Sequence, residues 1–218
     1  MNMLKFTAVL AVASVAGSAI ASPVLGDYAS YTQVSADQVT AISLEEGTQG
    51  TSSTLYSNMD AGAGFQAFPA DTGPAGFDDY TSTTASQITL EELRFVGGVT
   101  SAGGIMSFEF FNAAGDTLVD AFSVAFTDAG NFIYTITLNS EVVIDGAGIL
   151  QISVDAATTG QWFLSDAAPT IGSEDNMFGG ASGGALSHRF ELTGSPVPAP
   201  GAMALLGMGG LVAGRRRR

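Results

Sequence analysis

The chain has 218 residues, no cysteine and a formal net charge of −14, from 21 acidic and seven basic side chains; 28 residues are glycine and 46% are hydrophobic. This length allows one domain or two small ones. The acidity excludes a nucleic-acid surface, which needs clustered Lys and Arg to neutralise phosphates, and the missing cysteine excludes disulfides and thiolate sites.

The charge is unevenly placed. The bases are Lys5, Arg94, Arg189, Arg215, Arg216, Arg217 and Arg218, whereas every acid lies between Asp27 and Glu191. Residues 22–195 therefore hold 21 acids against two bases, a formal charge of −19. The ends need separate reading from the middle.

The N-terminus has the three parts of a secretion signal in order. Lys5 supplies a positive n-region, Phe6 to Ala16 an apolar h-region, and Ala19-Ile20-Ala21 a small-x-small cleavage site before Ser22. The apolar part is shorter than the ~20 residues that cross a bilayer. Residues 1–21 are expected to be a signal peptide, read by the export machinery and cut by signal peptidase between Ala21 and Ser22.

From Ser22 to Ser195 the pattern is short alternating runs separated by Gly, Asp and Asn, the signature of an all-β domain. In chain order the expected strands are Tyr28–Val34, Val39–Leu44, Leu55–Ser57, Gln87–Val96, Ile105–Phe111, Thr117–Phe126, Phe132–Leu138, Ile149–Val154, Gln161–Ser165 and Leu186–Leu192. The run Ile105–Phe111 is the clearest: Met106, Phe108 and Phe110 fall on one face, Ser107 and Glu109 on the other. Turn chemistry at Asn112–Asp116 and at Asp128–Asn131 predicts a three-strand antiparallel meander with two hairpins. Asn58–Thr84 and Ala167–Ala185 read as long loops. So many strands, each with one apolar face, need a second sheet to cover them, which predicts an antiparallel β-sandwich, jelly-roll-like.

The C-terminus continues with Val197, Pro198, Ala199 and Pro200, an apolar stretch from Gly201 to Gly214 containing five glycines, and the cluster Arg215, Arg216, Arg217, Arg218. The arginines would stay cytoplasmic by the positive-inside rule. Motif, apolar span and basic cluster in this order resemble the PEP-CTERM sorting signal of exported bacterial proteins, in its Val-Pro-Ala-Pro variant; the commonest form has Glu where Ala199 stands. The resemblance covers residues 196–218. It implies a transient transmembrane helix, recognition by an exosortase, and delivery of the preceding domain to the cell envelope, surface or extracellular matrix.

Catalytic chemistry is sparse. His188 is the single histidine and is expected on a strand with its ring partly solvated. The sequence has no G-x-S-x-G, H-E-x-x-H, P-loop or dinucleotide fingerprint. Gly97-Gly98 lacks the Lys and helix of a phosphate loop. Carboxylates are the abundant reactive groups, and calcium takes six to eight oxygens from such groups. The candidates are Asp78 with Asp79, Asp116 with Asp120, and Glu174 with Asp175; Glu91 and Glu92 are neighbours on a strand and face opposite ways. Tyr80 and Trp162 are the candidates for an aromatic ligand platform, with Trp162 better suited to the core.

The leading expectation is a non-enzymatic exported protein of the cell surface or matrix, processed by an exosortase. A calcium-assisted carbohydrate-binding module is the alternative, with extracellular polysaccharide as partner. A glycoside hydrolase built on paired carboxylates is the third. No cofactor other than calcium is expected.

Overall fold

The computed structural model of the protein describes residues 31–42, 54–62, 64–69, 75–174 and 186–197. Among them the chain forms strands β1 (Thr32–Val34), β2 (Val39–Ile42), β3 (Thr54–Asn58), β4 (Phe65–Phe68), β5 (Ala75–Thr81), β6 (Ile88–Val99) and β7 (Ile105–Asn112). They are followed by β8 (Leu118–Ala125), β9 (Gly130–Thr137), β10 (Val143–Ile144), β11 (Ala147–Val154), β12 (Gly160–Ser165), β13 (Ser187–His188) and β14 (Phe190–Pro196). A three-residue 3-10 turn at Ala36–Gln38 precedes β2. Among the described residues no helix is long and apolar enough to cross a membrane.

Two sheets pack face to face. One has five strands in the order β1-β8-β7-β11-β5, antiparallel except for the parallel pair β1–β8. The other has nine strands hung on β6. Along one edge of β6, β9 pairs with Glu92–Val99 and β10 with Ile88–Thr89. Along the other, β14 pairs with Ile88–Phe95 and β12 with Gly97–Val99. Beyond these partners lie β2 on β9, β3 on β14, and β4 and β13 on β12.

Two features of sequence let β6 take four partners. The first is an irregularity opposite Thr193 and Gly194, where Thr193 pairs with Glu92 and Gly194 with Leu90. An extra residue in one strand flips the alternation. Ile88 and Leu90 therefore enter the core, and so do Leu93 and Phe95 beyond the bulge. The second is Gly97-Gly98, where β9 and β12 close on the backbone. A Cβ on Gly97 would lie 2.2 Å from the Gln161 carbonyl oxygen, and one on Gly98 1.8 Å from that of Gly130. These glycines serve strand packing, not phosphate binding.

The core between the sheets is aromatic. Phe108 stacks on Phe122 at 5.0 Å within the five-stranded sheet, and Phe95 of the opposite sheet meets Phe108 edge-on at 5.2 Å. Tyr134 stacks on Phe95, and Tyr56 packs against Phe190 at 4.7 Å. On the outer face of the larger sheet, Arg94 Nη1 donates to Glu191 Oε1 at 3.2 Å, and Ser57 Oγ donates to Glu191 Oε2 at 2.9 Å. Glu191 is 1% exposed.

Three expectations change. The β7–β8 hairpin forms, but β9 leaves for the other sheet and pairs with β2 and β6. Asp128–Asn131 is a corner between sheets, not a hairpin, because glycine-containing turn chemistry serves either connection. The segment Asn58–Thr84 is not a long loop; it contains β4 and β5. The short strand β10 is new to the structure, and β14 extends to Pro196, one residue past the expected boundary at 195.

Gly98→Ala forces a methyl group into the Gly130 carbonyl. Overpacking of this kind costs about 1–3 kcal/mol, and we expect urea unfolding of the full chain to show a loss in that range. Arg94→Ala leaves Glu191 buried and unpaired, which costs about 3–5 kcal/mol. The paired change Arg94→Met with Glu191→Leu should cost less than Arg94→Ala alone in the same assay.

Candidate functional site

Four elements bring polar side chains together inside the sandwich. On β5, Asp78 stands opposite Leu150, a core residue of β11, so its side chain points inward and is fully buried. Asp79, next in the strand, takes the other face, and its amide donates to Asp78 Oδ1 at 3.0 Å. β13 contributes Ser187 and His188, both fully buried; the His188 amide donates to Asp78 Oδ2. β3 contributes Tyr56 and Asn58, and β4 contributes Gln66.

The segment 166–174 supplies Glu174. Two short bridges pin it, Ile171 to Ser57 of β3 and Ser173 to Thr81 of β5. It therefore spans from the larger sheet to the smaller. Between the bridges Gly172 has φ +81°, and a Cβ there would lie 2.4 Å from the Thr81 carbonyl oxygen. A residue with a side chain is strained in that conformation, so glycine here permits the turn that delivers Glu174.

Glu174 Oε2 accepts from Tyr56 OH at 3.0 Å, Asn58 Nδ2 at 3.3 Å and Ser187 Oγ at 2.5 Å. Asn58 Nδ2 also donates to Ser187 Oγ at 2.6 Å. The same serine hydroxyl lies near enough to Asp78 to lower its carboxyl pKa, against the larger effect of burial. A hydroxyl carries a single proton, so it can donate to one carboxylate at a time. Ser187 thus fills the space between two carboxyl groups.

His188 completes the cluster on its other side. Its ring stacks on Trp162 with centroids 4.0 Å apart, Nε2 lies 2.9 Å from Gln66 Oε1, and Nδ1 lies 3.4 Å from Asp78 Oδ2. The last separation is that of an ion pair, but burial keeps the imidazole neutral: its pKa is pushed down to about 3, with Glu174 opposing the shift. Burial raises the Asp78 carboxyl well above the usual range against the His188 amide bond, and burial likewise raises Glu174. The two arginines of the described residues bind elsewhere, Arg94 to Glu191 and Arg189 to the Met59 carbonyl oxygen at 2.8 and 3.1 Å.

The sequence candidates distribute as follows. Asp78 and Glu174, 96 residues apart and expected in separate clusters, meet at Ser187. Asp116 and Asp120 do not meet. Asp116 is exposed and bonded to Asn112 and Thr117, while Asp120 Oδ2 accepts the Val143 amide at 2.8 Å. Tyr80 lies on a strand and not in a loop; it is 1% exposed, and its hydroxyl donates to the Asp145 carbonyl oxygen at 3.1 Å. Trp162 is a core residue whose Nε1 donates to the Arg189 carbonyl oxygen at 3.2 Å. Neither ring is a ligand platform. His188 is fully buried, not partly solvated, because β13 folds against β5 and Trp162. Asp175 lies outside the described residues, as do Ala19, Ala21, Ser22, Pro198, Ala199, Pro200, Arg215, Arg216, Arg217 and Arg218. Val197 is described, and its amide donates to the Gln87 carbonyl oxygen at 2.7 Å.

Several polar positions were not singled out by sequence. Glu109 is 1% exposed on the outer face of the smaller sheet, where Tyr31 OH donates to it at 2.7 Å and Gln151 Nε2 at 2.5 Å. Two depressions at the surface of the described residues bear on function. One, of about 340 Å³, is lined by Asp166, Pro169, Gly172, Ser173 and Glu174 and so adjoins the buried cluster. The other, of about 270 Å³, lies where β2 and β9 face the end of β8 and is lined by Phe126, Phe132, Tyr134, Thr127 and Asp128. Burial, with the negative Asp128 adding to it, pushes the Tyr134 phenol up to about 12.

Set against models of protein families, curated proteins and solved structures, the chain matches none. What the geometry defines is an all-β sandwich with a buried, carboxylate-rich polar cluster joining its two sheets.

The cluster carries two opposite pH dependences. Asp78 and Glu174 hold protons in the folded state that the unfolded chain releases above about pH 4. Their contribution to stability is full below that pH and is lost as pH rises through their raised folded values. His188 has a depressed value of about 3, so its contribution is full above about pH 6.5 and lost as pH falls toward the folded value. In chelator-treated protein, we expect wild type to lose stability relative to Asp78→Asn as pH rises from about 4. Relative to His188→Gln it should lose stability as pH falls below about 6.5, each by at most about 1.4 kcal/mol per pH unit and proton. Denaturant unfolding across this range reads both trends, and a difference independent of pH would contradict the assignment.

Proposed function

We propose that the protein is a non-enzymatic exported protein of the cell surface or extracellular matrix, a jelly-roll-like β domain with removable address segments at both ends. The observation that carries this reading is the C-terminal order of Val197-Pro198-Ala199-Pro200, the apolar span Gly201 to Gly214 and four arginines, together with the export signal ending at Ala21. Among the described residues the last strand, β14, runs to Pro196, directly before Val197 of that motif. In this reading signal peptidase removes residues 1–21, the C-terminal helix holds the precursor in the inner membrane, and an exosortase acts at the motif. A hydrophobic tail that marks a protein and is then removed has a parallel in lipid-anchor signals. The acidic domain left behind, with only Arg94 and Arg189 as bases, repels anionic lipid and attracts cations.

One observation favours a second reading, polysaccharide binding. The depression lined by Phe126, Phe132, Tyr134, Thr127 and Asp128 presents the partly exposed Phe132 ring, over the buried Phe126 and Tyr134, together with the exposed Asp128 carboxylate and Thr127 hydroxyl, the mixture of apolar wall and few polar groups found in ligand sites. It takes the place of Tyr80 and Trp162 in that reading.

Mass spectrometry of the protein recovered from outside the cell tests the first reading. It predicts a mature N-terminus at Ser22 and loss of the four arginines. Replacing Pro198 and Pro200 by alanine should leave the tail attached and the protein in the membrane fraction. An intact tail on the wild-type surface protein would refute the reading.

A further inference from the structure

The depression where β2 and β9 face the end of β8 exists because small side chains meet there. Ala41 of β2 stands opposite Tyr134 of β9, and Ala36 of the 3-10 turn and Ala125 at the end of β8 complete the wall. Three methyl groups lie where longer side chains would close the gap, and a space of about 270 Å³ is left. Pockets for drug-sized molecules start at about 300 Å³, so this one suits a single sugar ring.

The polar groups of this space are unbalanced. No amide, imidazole, guanidinium or amine side chain lines it. Its single charged side chain is the exposed Asp128, whose Oδ2 accepts from Thr127 Oγ1 at 3.0 Å and whose Oδ1 meets no donor among the described residues. A neutral sugar hydroxyl both donates and accepts and calls for partners of both kinds, whereas an ammonium has three donors and no acceptor. The aromatic wall has the same preference. Phe132 and Tyr134 stand with ring centroids 5.7 Å apart and planes at 70°. The face of an aromatic ring is its negative part, and it attracts a cation held within about 6 Å of the centroid. The two arginines of the described residues are engaged elsewhere, with Glu191 and the Met59 carbonyl oxygen. The charge of −19 on residues 22–195 draws cations toward the domain as a whole.

We propose that this depression binds an amino sugar with a free ammonium group, as found in a de-N-acetylated polysaccharide, with the sugar ring on Phe132 and the ammonium at Asp128. This names the class of sugar and rests on the polysaccharide reading of the same depression. N-acetylation removes the charge and adds a carbonyl acceptor for which the lining side chains offer no N–H donor. A lysine side chain would bring the same charge but no ring to lie on Phe132, which favours the sugar.

Calorimetric titration of the full chain with a glucosamine trisaccharide, its N-acetylated counterpart and a glucose trisaccharide tests this. The glucosamine form should bind about fivefold more tightly than the other two at low salt, the fold-change an exposed ion pair gives. The advantage should shrink at 1 M salt, where charges are screened within about 3 Å. Asp128→Asn should remove the advantage and leave binding of the N-acetylated form unchanged. Asp116→Asn makes the same change of net charge at an exposed turn and should leave the advantage intact; equal losses in the two variants would assign the effect to overall charge and overturn the site. Ala41→Phe fills the space from an exposed position on an edge strand and should abolish binding of all three sugars, and full binding by that variant would overturn the location. Equal binding of the three sugars would overturn the amino-sugar assignment and leave the polysaccharide reading standing. Binding of none would overturn both, and a lysine tripeptide that bound in their place would identify the partner as protein.

Discussion

Two carboxyl groups, the fully buried Asp78 and the partly buried Glu174, stand beside Ser187 between the sheets, with no fixed positive side chain among the described groups that contact them. The closure of the sandwich at that end depends on how this is resolved. Asp78 sits on the edge strand of the five-stranded sheet, Ser187 on an edge strand of the nine-stranded one, and Glu174 on a segment bridged to both. Because the interior dielectric is low, an unbalanced charge here acts on strands that share few other contacts. His188, stacked on Trp162 and tied to Asp78 through its amide, carries the same constraint into the aromatic core. The cluster is both a packing device and a set of titratable groups whose protonation burial shifts.

The other organising element is β6. It pairs with four strands because its bulge resets the alternation and its two glycines let β9 and β12 close on it. Its inner face meets the phenylalanines of β7 and β8, and its outer face holds the Arg94–Glu191 pair. One strand thus sets the register of the larger sheet, which positions β13 and β3 and, through them, three of the four groups around Glu174.

The alternating strands were legible in sequence, from Ile105–Phe111 and Gln161–Ser165 to the class of fold. β4 and β5 were not, and the reason is the cluster itself. On β5 the inward positions include Gly76 and Asp78, and on β4 Gln66 points inward beside Phe68. Polar residues placed inside for the cluster erase the period-two apolar signal that identifies a strand. Asp78 and Glu174 were each visible as acids, but their convergence is a product of topology across 96 residues. The departure of β9 to the second sheet was hidden because its preceding turn has the residues of a hairpin. Asn58 and Ser187 carried no distinguishing pattern at all.

Asp78 and Glu174, 96 residues apart, come together beside Ser187 between the two sheets. A crystal structure of the full chain measures this without intermediaries. Glu174 should be found accepting from Tyr56, Asn58 and Ser187, with Asp78 buried beside the same serine and holding the His188 amide. Carboxyl groups found apart from one another, or Glu174 turned out to solvent, would overturn the assignment.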